Sequence, residues 1–299
     1  MVCLRFSQTF LHQDLGTSLP KKSLNSGKRK MNRFFKITGY TIRDQMRHKS
    51  FYVLLGLCLV FVLMIRGCYS GHYVVNGKPL DNITVAWHVS KIVFQVIASG
   101  MFLIVILLSM KIFSRDHEDG SLVLFLSRPV FRQQYIFGRI AGTWFLCLVF
   151  MFSLHATIFL TVWVKTGAII PGYLIASLVC SINLLFISVS VCFLSIFLPD
   201  FISAVFTVGI LFVGYISDGG YQILNSEILK TAVPSAAASP PALWRIVYPK
   251  VYMVQAYADS IIGQSSFNNM GPIHPILNVL FFIILLSTLL LVVFNKKEI

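Results

Sequence analysis

The stretch YLIASLVCSINLLFISVSVCFLSIFL, Tyr173 to Leu198, runs 26 residues without an Asp, Glu, Lys or Arg. A helix needs roughly 20 residues to cross a hydrocarbon core of about 30 Å, so this run is long enough to span a bilayer. Its apolar residues do not alternate with polar ones, which argues against a barrel strand. Five comparable runs flank it: Phe51 to Ile65, Ile92 to Met110, Ile140 to Val164, Phe201 to Ser217 and Pro275 to Phe294. Inside lipid every backbone N–H and C=O must be satisfied within the protein, and helices do this most economically. The expected fold is therefore an all-α integral membrane protein with about six transmembrane helices.

Composition and charge point the same way. Of 299 residues 56% are hydrophobic and 12% charged, about half the charged fraction of a soluble domain. The net charge of +14 would suit a nucleic-acid binder, but its placement favours membrane topology. With a cytoplasmic amino terminus and six crossings, 18 of the 25 Lys and Arg fall on the cytoplasmic side and seven outside, which is the positive-inside pattern. Eleven of them precede Phe51, and Lys296 and Lys297 close the chain. The expectation is a multi-pass protein of the cell (inner) membrane with both termini cytoplasmic and no nucleic-acid partner. The cysteines, Cys3, Cys58, Cys68, Cys147, Cys180 and Cys192, form neither a disulfide framework nor a zinc spacing. His155, the one histidine at membrane depth, is expected to bond a neighbouring helix.

Working outward along the chain, residues 1–30 read as a disordered basic extension without a signal-peptide core. Residues 31–50 read as an amphipathic interfacial helix. On a helical wheel Phe35, Ile42 and Met46 form one stripe and Lys36, Arg43 and Arg47 the adjoining one, an apolar face for the acyl boundary beside a basic face for anionic headgroups. Residues 51–299 are the six-span domain. A polar loop from Gly67 to Ser90 carries the sequon Asn82-Ile83-Thr84, and Leu198-Pro199-Asp200 turns the fourth span into the fifth. The segment 218–274, broken by Gly219-Gly220 and Pro240-Pro241, is expected outside, with short helices in loops. Gly138 and Gly142 make a Gly-x-x-x-Gly step that permits close helix approach, although chance accounts for such a step equally well.

The segment between the second and third spans, Lys111 to Arg139, reads KIFSRDHEDGSLVLFLSRPVFRQQYIFGR. Asp116, Glu118 and Asp119 precede Gly120 and Ser121, and Ser121 can cap a short helix carrying Leu122, Leu124, Phe125 and Leu126. Pro129 ends that helix and suits the first turn of the next, leaving two short helices with an elbow. Here the chain resembles the permease subunit of type-2 ATP-binding-cassette transporters. The resemblance rests on Glu118, Gly120, Ser121 and Leu122, then Pro129 and Arg132, then Gly138, with Arg139 where the family closes on Lys. It extends more loosely to the amphipathic helix, the six-span layout and the segment around Tyr248-Pro249.

The resemblance implies a coupling helix docked on a cytoplasmic ATPase, with Asp116, Glu118, Asp119, Gly120, Ser121, Leu122, Phe125, Pro129 and Arg132 at the contact. It also implies a second permease subunit, identical or related, and ATP and Mg bound by the partner ATPase and not by this chain. Consistent with that, Gly27-Lys28 and Gly77-Lys78 lack the glycine and hydroxyl of a phosphate-binding loop. No run holds an Asp, Glu, Lys or Arg near its middle, whereas ion-coupled carriers usually place such groups there. The expected function is thus an ATP-driven exporter subunit that is not itself an enzyme. The alternative is a non-transporting membrane anchor or assembly subunit that recruits an ATPase.

Overall fold

The computed structural model describes residues 21–47, 49–65, 67, 74–75, 78–79, 82–110, 112, 132–167, 169–224, 248–267 and 273–296. Within them lie the helices α1 (Lys21–Arg47), α2 (Lys49–Ile65), α3 (Asn82–Met110), α4 (Arg132–Thr166), α5 (Gly172–Leu194), α6 (Asp200–Leu224), α7 (Val251–Gly263) and α8 (Pro275–Lys296). A two-residue antiparallel pairing of β1 (Val74–Val75) with β2 (Lys78–Pro79) sits between α2 and α3. Residues 1–20, the expected coupling helix within 113–131, and the segment 225–247 lie outside the described residues.

Five helices, α3, α4, α5, α6 and α8, are long and apolar enough to cross a membrane. The chain is a multi-pass membrane protein. The sixth expected run forms α2, whose 17 residues extend about 25 Å at 1.5 Å per residue, somewhat less than the hydrocarbon thickness.

The stretch that decided the fold also decides its centre. In α5 the buried face carries Ala176, Cys180, Leu184, Ser188 and Cys192, four residues apart and all fully buried. Apart from Leu184 these side chains are small, and small side chains at that spacing let other helices approach closely; α3, α4, α7 and α8 all pack on α5. Two-thirds of its apolar stretch is buried (67%), against 22% for α6 and for α8, which form the periphery. His155 of α4 joins this centre: its Nδ1 pairs with Ser177 Oγ of α5 at 2.9 Å, and its ring stacks on Phe94 of α3 at 4.8 Å. The expected bond to a neighbouring helix is present.

Two boundaries differ from the sequence expectation. Helix α3 begins at Asn82, inside the expected outer loop, because Ala86, Ser90, Phe94 and Ala98 form a continuous buried face that carries the helix beyond its apolar core. Helix α1 begins at Lys21, ten residues before the expected boundary at Met31.

Candidate functional site

Two places in the bundle combine polar groups with close backbone packing. The first is the junction of α1 with the start of α4, immediately after the coupling segment. Among the expected ATPase-contact residues only Arg132 is described, and it opens α4. Asp116, Glu118, Asp119, Gly120, Ser121, Leu122, Phe125 and Pro129 lie outside the described residues. Six residues into α4, Gly138 meets α1: a Cβ there would stand 2.7 Å from Ile37 Cγ2. A Cβ on Gly142 would stand 2.7 Å from Thr41 Cβ and 2.9 Å from the Thr38 carbonyl oxygen. The Gly-x-x-x-Gly step is therefore occupied within the chain, by α1.

Arg139, between the two glycines, is 3% exposed and reaches Asp44 of α1 at 3.7 Å. Its guanidinium lies 5.4 Å from the centre of the Tyr40 ring and 5.9 Å from that of Tyr135. One turn on, Gln45 Nε2 donates to Thr143 Oγ1 at 2.7 Å, and Thr143 Oγ1 donates to the Arg139 carbonyl. Ion pair, ring stacking and amide bond clamp α1 onto α4.

This makes α1 a three-faced helix. Ile37, Thr41 and Gln45 are buried against α4, while Phe35 and Met46 remain exposed on the apolar stripe. Lys36, Arg43 and Arg47 are exposed on the basic stripe. The apolar and basic stripes were visible in the sequence, but the clamped face was not. Two of its three buried residues are polar, so apolar periodicity passes over them, and the usable signal was the glycine pair on the partner helix.

The second place surrounds α7. This 13-residue helix falls within the segment expected outside, yet it packs between α3, α5, α6 and α8. Its first residue meets the middle of α5, where Asn183 Nδ2 donates to the Val251 carbonyl at 3.0 Å. Its end meets the first residue of α5, since a Cβ on Gly172 would run into the Ile261 carbonyl. Helix α7 therefore covers about half the length of α5.

Broken helices are tolerated at such depth only where side chains satisfy their ends. Asn278 of α8 does so, its Oδ1 accepting from Lys250 N–H at 3.0 Å. Further along, Gln255 Nε2 donates to the Gln95 carbonyl of α3 at 3.2 Å, and Tyr215 O–H of α6 donates to Gln255 Oε1. Tyr248 O–H donates to the Ile210 carbonyl, and Tyr252 O–H to Gln222 Oε1 at 2.8 Å. Every span that touches α7 thus bonds to it. Although no span holds a central charge, Lys250 enters with α7 and is 6% exposed. Near the other end, Asp259 stands within electrostatic reach of Lys91 of α3. Among the described residues no group of three or more His, Cys, Asp or Glu comes together to hold a metal ion.

Compared with known families and with curated proteins, the chain matches no family model and no curated protein.

Proposed function

We propose that this chain is the permease subunit of an ATP-driven exporter, moved by a separate cytoplasmic ATPase that binds ATP and Mg. In this reading α2 is the sixth span, both termini are cytoplasmic in the cell (inner) membrane, and a second permease subunit completes the transport path. The ATPase docks at Asp116, Glu118, Asp119, Gly120, Ser121, Leu122, Phe125, Pro129 and Arg132. Lys36, Arg43 and Arg47 rest among lipid headgroups.

The observation that carries the reading is the sequence from Glu118 to Arg139, with its acidic cap, Pro129 elbow and closing Gly138-Arg139. The clamp gives that sequence a mechanical sense. Arg139 fastens α4 to α1 within two turns of Arg132, so a push delivered before Arg132 would move the two helices together. Force received by an isolated loop would dissipate in local bending, whereas a pair tied by an ion pair and two glycine contacts shifts as a unit.

The test is affinity purification of the detergent-solubilised chain from its native host, comparing unaltered protein with Glu118→Arg. Charge reversal at a docking contact weakens association while leaving membrane insertion intact. The expected result is a stoichiometric soluble ATPase that is lost from the variant. Recovery of the chain alone, under conditions that preserve other membrane complexes, would overturn the proposal.

A further inference from the structure

Helix α8 starts at a histidine. The His274 carbonyl accepts from Asn278 N–H at 3.1 Å, and Pro275 follows as the first helical residue, so His274 holds the N-cap position. Its side chain does there what Ser, Thr, Asp or Asn does at other helix starts: His274 Nδ1 accepts from Ile276 N–H at 3.4 Å. The same ring packs on the neighbouring elements. It stands edge-to-face with Tyr257 of α7 at 4.9 Å and lies 6.2 Å from Phe267, which itself meets Tyr257 at 5.1 Å. One turn further along α8, Asn278 holds the start of α7 through Lys250 N–H. A single imidazole thus fastens the first turn of α8 and, through that turn, α7.

We propose that His274 is a proton-operated latch at the α7–α8 junction: neutral, it caps α8, and protonated, it releases the cap. Chemistry sets the sign. Only an unprotonated Nδ1 has the lone pair that accepts from Ile276 N–H, and a protonated one turns an N–H toward another N–H. The imidazolium also brings positive charge to the positive end of the helix dipole. The opened state therefore binds a proton that the capped state excludes, and acid favours opening. Histidine is the side chain whose charge ordinarily changes between about pH 5 and pH 8.

No carboxylate is placed to hold the cation in the cap. Helices α5 and α7 pack most on α8. Helix α5 carries no charged residue. Helix α7 presents the Tyr257 ring, while Asp259, two residues on and so on another face, lies within electrostatic reach of Lys91 of α3. Lys250, at the start of α7, is itself a cation. Among the described residues His274 forms no ion pair. The latch holds whether or not the chain transports anything.

The test is hydrogen–deuterium exchange, read at residue level, of the full chain in phosphatidylcholine nanodiscs at about pH 5 and about pH 8. Each rate is divided by the intrinsic chemical rate at that pH. The amides of Ile276, Asn278 and Lys250 should exchange about fivefold faster at the lower pH, the scale of a lost N-cap. His274→Asn supplies an acceptor that does not titrate, so the difference between the two pH values should vanish. His274→Ala should leave these amides open at both. Equal exchange at both pH values in the unaltered protein overturns the proposal. So does a pH difference that persists in His274→Asn, which would assign the effect to another group such as Asp259. Where His274→Ala fails to fold, His274→Asn against the unaltered protein decides alone. A ring ¹⁵N spectrum showing a protonated His274 Nδ1 at about pH 8 would also sink the latch.

Discussion

Arg139 is the residue on which the cytoplasmic end of the bundle depends most. A guanidinium that is 3% exposed has given up its water, and Asp44 and the two tyrosine rings offset that loss. Removing either partner strands the other, at a cost of about 3 kcal/mol or more for a buried pair. Asp44 is the more exposed of the two, so Asp44→Asn, which strands the buried guanidinium, should cost more than Arg139→Gln, which strands a carboxylate that water can reach. A double-mutant cycle on unfolding in mild detergent should give a coupling of about 1–3 kcal/mol. A coupling near zero would mean that the glycine contacts and the Gln45–Thr143 bond hold α1 without help from the ion pair. Arg139→Lys should also destabilise, because an ammonium cannot reproduce the planar stacking between Tyr40 and Tyr135. From the sequence, Arg139 read as a charge-preserving replacement for Lys at the end of a motif. Its actual work depends on Asp44, some 95 positions earlier, and no local pattern reports a contact of that kind.

At the scale of elements, a helix was legible in proportion to how uniformly apolar it is. Helices α5 and α8 could be read almost to their ends, since lipid admits little else. Helix α7 could not, because Tyr252, Gln255 and Asp259 give it the look of a water-exposed loop segment. Those polar groups are what bind it to the spans, and Asn183 and Asn278, which looked like scattered polar residues, hold its first turn from α5 and α8. Asn278→Leu removes the acceptor for Lys250 N–H, and Asn183→Leu removes the donor to the Val251 carbonyl. Asn278→Leu should destabilise the protein by about 1–3 kcal/mol through an orphaned N–H, and Asn183→Leu by about 1 kcal/mol, because the Val251 carbonyl stands at the start of the helical ladder and keeps an acceptor role there. Hydrogen–deuterium exchange should show faster exchange confined to α7 and its contacts, and exchange spread evenly over all helices would argue against the capping role. The α1–α4 face escaped the sequence for a related reason: Thr41 and Gln45 are buried there but polar.

For the whole molecule, the open count concerns α2. If this 17-residue helix crosses, the number of spans is even and the two termini share a side. If it lies in the interface, they face opposite sides. Single cysteines placed near Lys36 and after Lys296, in a variant lacking the native thiols, should label with membrane-impermeant maleimide from the same side only. Labelling from opposite sides would make α2 an interfacial helix and the protein a five-span one. The excess of Lys and Arg before Phe51 and after Phe294 favours the shared side.

The route by which α7 is held also sets an order of biosynthesis. The Lys250 N–H at its start is capped by Asn278, which belongs to a helix made after α7. Until α8 has been inserted, α7 lacks the partner that makes burial tolerable, and at half a span it is too short to be handed to lipid by itself. The centre of the protein is thus completed only once α8 has joined it, and a nascent chain truncated before Asn278 would present its unfinished core to the quality-control machinery of the membrane.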